Sequence, residues 1–298
     1  MIPSIAAVGR ATLVALMVGV VVGACASPVA TAPASPEPTP SATPGSTTEP
    51  TVQPPLEAGP FPESLVGGLR TETDVPFTAL VECGAGECEV PLDILAPEDG
   101  EALPTIVLLP GGPSGFADRR YLELLASGLA QRDAVVFVAT YRSQATGDSA
   151  GDSLDDARCA VRYARLRSSE FGGDPARLVL VGHSFAGGLA IATGANAEQD
   201  TPGCLADEDG TPSAAVALAG FQFAVVEPVE AGPTFLLMSG SEDQAARTGE
   251  ASAAELREAG FAAEYAELEG IDHFEIVDGE SAPEVIDSIL ALADPAGD

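Results

Sequence analysis

The stretch Arg177-Leu-Val-Leu-Val-Gly182-His183-Ser184-Phe185-Ala186-Gly187-Gly188 decides the reading of this chain. A short apolar strand runs up to Gly182, a serine follows two residues later, and a helix of small residues begins. A strand-to-helix turn this sharp lifts a serine hydroxyl out of the sheet, which is the layout of a nucleophile elbow. The chemistry it serves is acyl transfer through a covalent serine intermediate. An elbow of this kind makes a demand that can be checked: an acid and then a histidine base should follow it in the chain. Where the pattern G-x-S-x-G ends in glycine, this chain has Ala186. The position must be small because the helix packs closely on the strand, and alanine is the smallest side chain above glycine.

Outward from the elbow, strand and helix patterns alternate. Strands are expected at Thr78–Glu82, Glu89–Leu95, Thr105–Leu109, Ala134–Thr140, Arg177–Val181, Ala214–Ala219, Thr234–Ser239 and Ala262–Leu268. The central runs are continuously apolar, as in strands covered on both faces. Helices are expected at Asp118–Gln131, Ser153–Ser169, Phe185–Gly194, Ala245–Ala259 and Glu284–Ala293, the second opening on a cap formed by Ser153 and Asp156. The order predicts an α/β domain, residues 61–298, with a mostly parallel central sheet and helices on both faces. Only fourteen residues, Gly220–Pro233, separate two late strands, so the chain has little room for a lid there.

The 298 residues carry 45 acidic and 13 basic side chains, a formal charge of -32, and all the basic residues are arginine. Such a surface repels nucleic acid and other polyanions. It is read as compositional bias or salt adaptation, or as steering of cationic substrates. Residues 1–24 carry one charge, Arg10, before an apolar run from Ala11 to Ala24, short for a membrane span and suited to an export signal. Its end, Val22-Gly23-Ala24-Cys25, resembles a bacterial lipoprotein signal, with Cys25 as the lipidated residue. An ordinary signal peptide with a chance cysteine, or an uncleaved anchor, is the alternative. Residues 25–60 hold ten prolines and almost no large apolar side chains. They read as an extended tether that at about 3.1 Å per residue reaches on the order of 100 Å. The expected location is therefore the outer face of a bacterial cell membrane.

Cys25 apart, four cysteines remain in an exported chain, an even number that suggests two disulfides. Cys83 and Cys88 flank a short Gly-rich turn between strand-like runs, so a hairpin bridge is the simplest pairing, which leaves Cys159 with Cys204. With no Cys-x-x-Cys pair and two histidines, a zinc site is not expected.

Three further stretches carry a resemblance. They are Thr140-Tyr-Arg142 after a strand, Asp156-Ala-Arg-Cys-Ala-Val-Arg-Tyr163 on the next helix, and Glu170-Phe-Gly-Gly-Asp-Pro-Ala-Arg177 before the elbow. Together they make Ile94–Ala293 similar to the α/β-hydrolase fold. The similarity is to bacterial carboxylesterases of the hormone-sensitive-lipase-like and acetyl-xylan- or feruloyl-esterase-like groups. Ser184 is then the nucleophile. Of the two histidines, His183 adjoins it and points away, packing under the elbow or at the rim. His273 lies in the loop after the last strand, where the resemblance places the base. The resemblance places the acid at Asp243, with Glu242 and Asp272 as rivals. Two backbone N–H groups must hold the developing oxyanion. Phe185 supplies one. The other comes from the loop Pro110-Gly-Gly-Pro-Ser-Gly-Phe116, where Gly112 is chosen and Gly111 is next; Pro113 has no N–H to give. Members of this group often have histidine where Pro110 stands, so the bracing of the loop is open. Arg142 and Asp156 are expected to have structural rather than catalytic roles, the arginine pairing with a carboxylate beneath the site.

The expected activity is a serine hydrolase cleaving small or polymer-borne carboxylic esters without a cofactor. A peptidase or amidase of the same fold is one alternative. A non-catalytic wall-binding lipoprotein is the other.

Overall fold

The computed structural model describes residues 61–294, apart from 85, 113–118, 145–146, 197–200, 202–203, 206, 223–225, 227–230, 245 and 280. The readings of the signal, Cys25 and the tether lie outside the described residues. So do Pro113 to Phe116 and half of the Gly220–Pro233 connection.

Ten strands are present among the described residues: β1 Leu69–Pro76, β2 Val81–Cys83, β3 Gly86–Cys88, β4 Pro91–Pro97, β5 Leu103–Leu109, β6 Val135–Ala139, β7 Gly173–His183, β8 Ala214–Leu218, β9 Thr234–Gly240 and β10 Ala263–Leu268. The helices are α1 Glu63–Val66, α2 Glu123–Ala130, α3 Ala150–Arg167, α4 Phe185–Ala195, α5 Ala246–Glu258, α6 Glu275–Asp278 and α7 Ala282–Ala293. Eight strands form one sheet in the order β1-β4-β6-β5-β7-β8-β9-β10. β4 runs antiparallel to both neighbours, and every pair from β6 to β10 is parallel.

Period-two alternation within the apolar strands feeds two cores. Ile106, Leu108, Val136, Val138, Val179 and Val181 face one side, packed with Leu125 and Leu129 of α2 and Ile286 and Ile289 of α7. Val107, Leu109, Phe137, Leu178 and Leu180 face the other, against Ala157, Ala160 and Val161 of α3 and Leu189 of α4. Further along that second face, α5 packs Ala253 and Leu256 against Ala215 and Leu237.

Several expectations shift. β1 has no clear alternation, and the sequence reading omits it; its edge position and a register break between Glu72 and Val75 leave most of it half-exposed. The strand expected at Thr78–Glu82 begins only at Val81. The cap of α3 is one turn earlier than Ser153. Ser149 accepts from the Asp152 N–H, and the Asp152 carboxylate accepts from the Ser149 N–H in return. Ser153 and Asp156 are occupied elsewhere: Ser153 Oγ donates to the Arg142 carbonyl at 2.7 Å, and Asp156 holds Arg142. The helix expected from Asp118 starts as a 3₁₀ turn, Arg119–Leu122.

Both disulfides, Cys83–Cys88 and Cys159–Cys204, are formed. The first closes the β2–β3 hairpin and the second ties α3 to the segment after α4.

Two buried ion clusters fix the loops near the sheet's carboxyl edge. Arg119 is 1% exposed, donates to Asp93 at 2.5 Å and to Thr140 Oγ1 at 2.8 Å, and also pairs with Asp74. Arg142, just past β6, meets Asp156 through its guanidinium at 2.8 to 3.2 Å and through its backbone N–H at 2.7 Å. Breaking a buried pair leaves the remaining charge without compensation. Asp156→Ala is expected to lower the unfolding free energy by about 3–5 kcal/mol, read as a fall in the urea midpoint at unchanged slope. A loss under about 1 kcal/mol would contradict an anchoring role for this pair.

Candidate active site

Sheet order places the site. After β5 the chain moves to one side to form β6, and β7 then returns to the other side of β5. At such a switch point a crevice opens beyond the carboxyl ends of the two strands. Leu109 pairs with Gly182, so the loop starting at Pro110 and the elbow at Ser184 leave the sheet side by side. At the far side Gly240 pairs with Leu268, so the loops carrying Asp243 and His273 also emerge together.

Ser184 has φ +56° and ψ -121°, a backbone conformation costly for a residue with a Cβ, at roughly 1–3 kcal/mol. It is held there from both sides. Its N–H donates to the Leu218 carbonyl at 2.8 Å, and its carbonyl accepts from Gly187 at 2.9 Å. The turn is so tight that any side chain at Gly182 would run into the carbonyl of Ala186. Ala186 itself is buried in the core and has room for its methyl group, which explains how alanine serves as the fifth residue of the motif.

Three residues far apart in sequence meet in a line. Ser184 Oγ lies 2.9 Å from His273 Nε2, and His273 Nδ1 lies 2.6 Å from Asp243 Oδ2. A carboxylate can only accept, so Nδ1 carries the proton and Nε2 faces the serine hydroxyl as an acceptor. The Asp243 side chain is 8% exposed and that of His273 33%, so the carboxylate is shielded while the imidazole is partly open to solvent. The loops that carry them are laced together. Ser241 N donates to Leu268 O at 2.9 Å, Glu242 N to Ile271 O at 3.1 Å and Gly270 N to Ser241 Oγ at 2.8 Å. Glu242 is exposed. Asp272 caps the turn after His273, accepting from the backbone N–H groups of Phe274 and Glu275. Those two hydrogen bonds hold its carboxyl below the usual aspartate range.

Phe185 opens α4, where a backbone N–H has no acceptor within the helix and the helix dipole favours negative charge. Across the crevice, Gly111 is pressed against the elbow: a Cβ there would come within 2.8 Å of the Ser184 Cβ. The Gly111 N–H is already spent on Tyr121 Oη. Of the two glycines described in this loop, Gly112 is the one whose N–H is not engaged by Tyr121. Bracing of the loop comes from two phenols that the sequence did not mark. Tyr121 accepts from Gly111, and Tyr141 donates to the Pro110 carbonyl at 2.7 Å. Tyr121 reads in sequence as one more apolar position on a helix, and nothing local signals its hydroxyl.

His183 packs under the elbow, 2% exposed. Its Nδ1 lies 3.0 Å from Tyr121 Oη and its Nε2 lies 2.8 Å from the His273 carbonyl oxygen. Among the described residues no cluster of three or more His, Cys, Asp or Glu side chains is arranged to hold a metal ion.

Residues 106–293 match the family model described as the alpha/beta hydrolase family. The chain belongs to that family. Among its relatives, the isoprenylcysteine alpha-carbonyl methylesterase of Arabidopsis thaliana is 34% identical over 111 residues, covering 37% of this chain and 25% of the relative. Gut esterase 1 of Caenorhabditis elegans is 29% identical over 118 residues, covering 36% and 21%. The chain thus spans about a quarter or less of the length of these relatives. In the backbone it is similar to a thermophilic esterase of Thermogutta terrifontis. The propionate-bound form gives a TM-score of 0.62 at 19% identity, over 77% of this chain and 93% of that one. The form phosphorylated by paraoxon gives 0.61 at 20%, over the same shares.

Burial pushes the His183 imidazole down from 6.5 to about 4. Between those values the unfolded chain binds a proton that the folded chain refuses. The folded state is therefore unpenalised by this group above pH 6.5 and loses stability as the pH falls toward 4. Over that window the wild-type chain is expected to lose roughly 3 kcal/mol more than His183→Gln, measured by urea midpoints at several pH values. Equal slopes for the two proteins would contradict a buried, neutral His183.

Proposed function

We propose that this protein is an exported serine hydrolase that cleaves carboxylic esters through an acyl-enzyme. The observation that carries the reading is the hydrogen-bonded line from Ser184 Oγ through His273 to Asp243. Ser184 Oγ attacks the ester carbonyl carbon while its proton passes to His273 Nε2. Asp243 keeps the ring in the reactive tautomer and stabilises the imidazolium. The carbonyl oxygen takes up the charge and lies against the N–H groups of Phe185 and Gly112. When the C–O bond breaks, Nε2 returns the proton to the departing alcohol. Water then attacks the acyl-serine by the same route, and the acid is released.

Esterase names among the relatives and the structural neighbours favour esters over amides as substrates. Beside the base, Phe274 is 57% exposed with its ring centroid 5.2 Å from that of His273, which offers an apolar surface to one part of the substrate. With the short Gly220–Pro233 connection this suits a short acyl group and a larger alcohol portion. The export signal, Cys25 and the proline-rich tether would hold the domain at the outer face of the cell membrane, within reach of small or polymer-borne esters.

The full-length chain is expected to hydrolyse p-nitrophenyl acetate. Ser184→Ala should abolish turnover, and Asp243→Asn should lower kcat by about 10⁴-fold with the base left in the wrong tautomer. Retained activity in Ser184→Ala would overturn the mechanism, and faster cleavage of aminoacyl amides than of esters would overturn the substrate class.

A further inference from the structure

His183 and Tyr121 take no part in the steps above, yet they sit between the two loops that do. A carbonyl oxygen can only accept, so the 2.8 Å contact with the His273 carbonyl requires a proton on His183 Nε2. In a neutral ring Nδ1 is then an acceptor, and the Tyr121 hydroxyl, 3.0 Å away, donates to it. The phenol oxygen accepts in turn from Gly111 N–H. All donors run one way, from Gly111 to Tyr121, to His183, to the His273 carbonyl. The first residue adjoins the oxyanion donor, and the last carries the base. The two imidazoles also lie close together, tilted by 48° with centroids 4.9 Å apart. Desolvation keeps the inner ring neutral, as this donor order demands.

We propose that His183 is a positioning residue whose Nε2–H, oriented by Tyr121, fixes the main chain at His273 and couples the placement of the base to that of the oxyanion loop. This rests on the esterase reading given above. A buried imidazole there could fill space equally well without donating a hydrogen bond. The two roles predict opposite orders of activity. Glutamine places an amide N–H where Nε2–H stood, whereas leucine fills the volume and donates nothing.

The test uses the full-length chain and p-nitrophenyl acetate. His183→Leu is expected to lower kcat by about 10- to 100-fold with KM within about threefold, while His183→Gln recovers to within about fivefold of wild type. Tyr121→Phe is expected to lower kcat by about tenfold. A leucine variant as active as the glutamine variant would overturn the proposal. Since the chain has two histidines, ¹⁵N imidazole spectra of the untagged wild-type protein give a second reading that needs no activity. His183 should appear as the Nε2–H tautomer, unchanged in titration down to about pH 5, and Tyr121→Phe should shift its Nδ1 resonance. An Nδ1–H tautomer, or titration near the ordinary histidine value, would overturn the coupling. If the wild-type protein cleaves no ester but shows the expected spectra, the activity reading fails and the hydrogen-bonded chain stands.

Discussion

The strained backbone of Ser184 is the constraint on which the rest of the molecule depends. A residue with a Cβ sits at φ +56° because β7 must stop and α4 must start within one residue. The strain of roughly 1–3 kcal/mol is offset by neighbours that leave no alternative. Leu218 on β8 takes the serine N–H, Gly187 donates to its carbonyl, and the close approach of Ala186 to Gly182 excludes a side chain there. The result is a hydroxyl fixed above the sheet without loop freedom. A serine hydroxyl is a weak nucleophile by itself and depends on a base within hydrogen-bond reach, the place that His273 Nε2 occupies.

Register in the parallel sheet does the remaining alignment. Leu109 opposite Gly182 sets the loop from Pro110 against the elbow, and Leu268 opposite Gly240 sets the His273 loop against the Asp243 loop. Both pairs end at the carboxyl edge, on either side of β8. Buried arginines tie down what the strands do not. Asp156 holds Arg142 and so the neighbouring Tyr141, whose hydroxyl braces Pro110. Asp93 holds Arg119 and so the turn that carries Tyr121. Packing thus reaches the site through a few hydrogen-bonded steps.

The strands of the sheet centre were legible because they are buried on both faces and read as unbroken apolar runs. β1 was not, because an edge strand with a register break has no clean alternation. The start of α3 was misplaced by one turn: Ser149 with Asp152 and Ser153 with Asp156 have the same spacing, and only the partner Arg142 tells them apart. Ser184 was legible from the elbow motif, His273 from the count of two histidines and Asp243 only through the family resemblance, and the structure brings these three side chains together. Gly112 ranked ahead of Gly111 in the sequence, but the Tyr121 hydroxyl that occupies the Gly111 N–H had no signal there. Tertiary hydroxyl contacts of this kind leave no trace in periodicity or spacing.

A Ser184 hydroxyl made nucleophilic by His273 is the centre of the proposed chemistry. Mass spectrometry of the full-length protein after exposure to a fluorophosphonate tests that most directly. One adduct per chain on the peptide containing Ser184, absent after prior heat unfolding, is the predicted result. A chain that stays unmodified, or that carries the adduct on another residue, would contradict it.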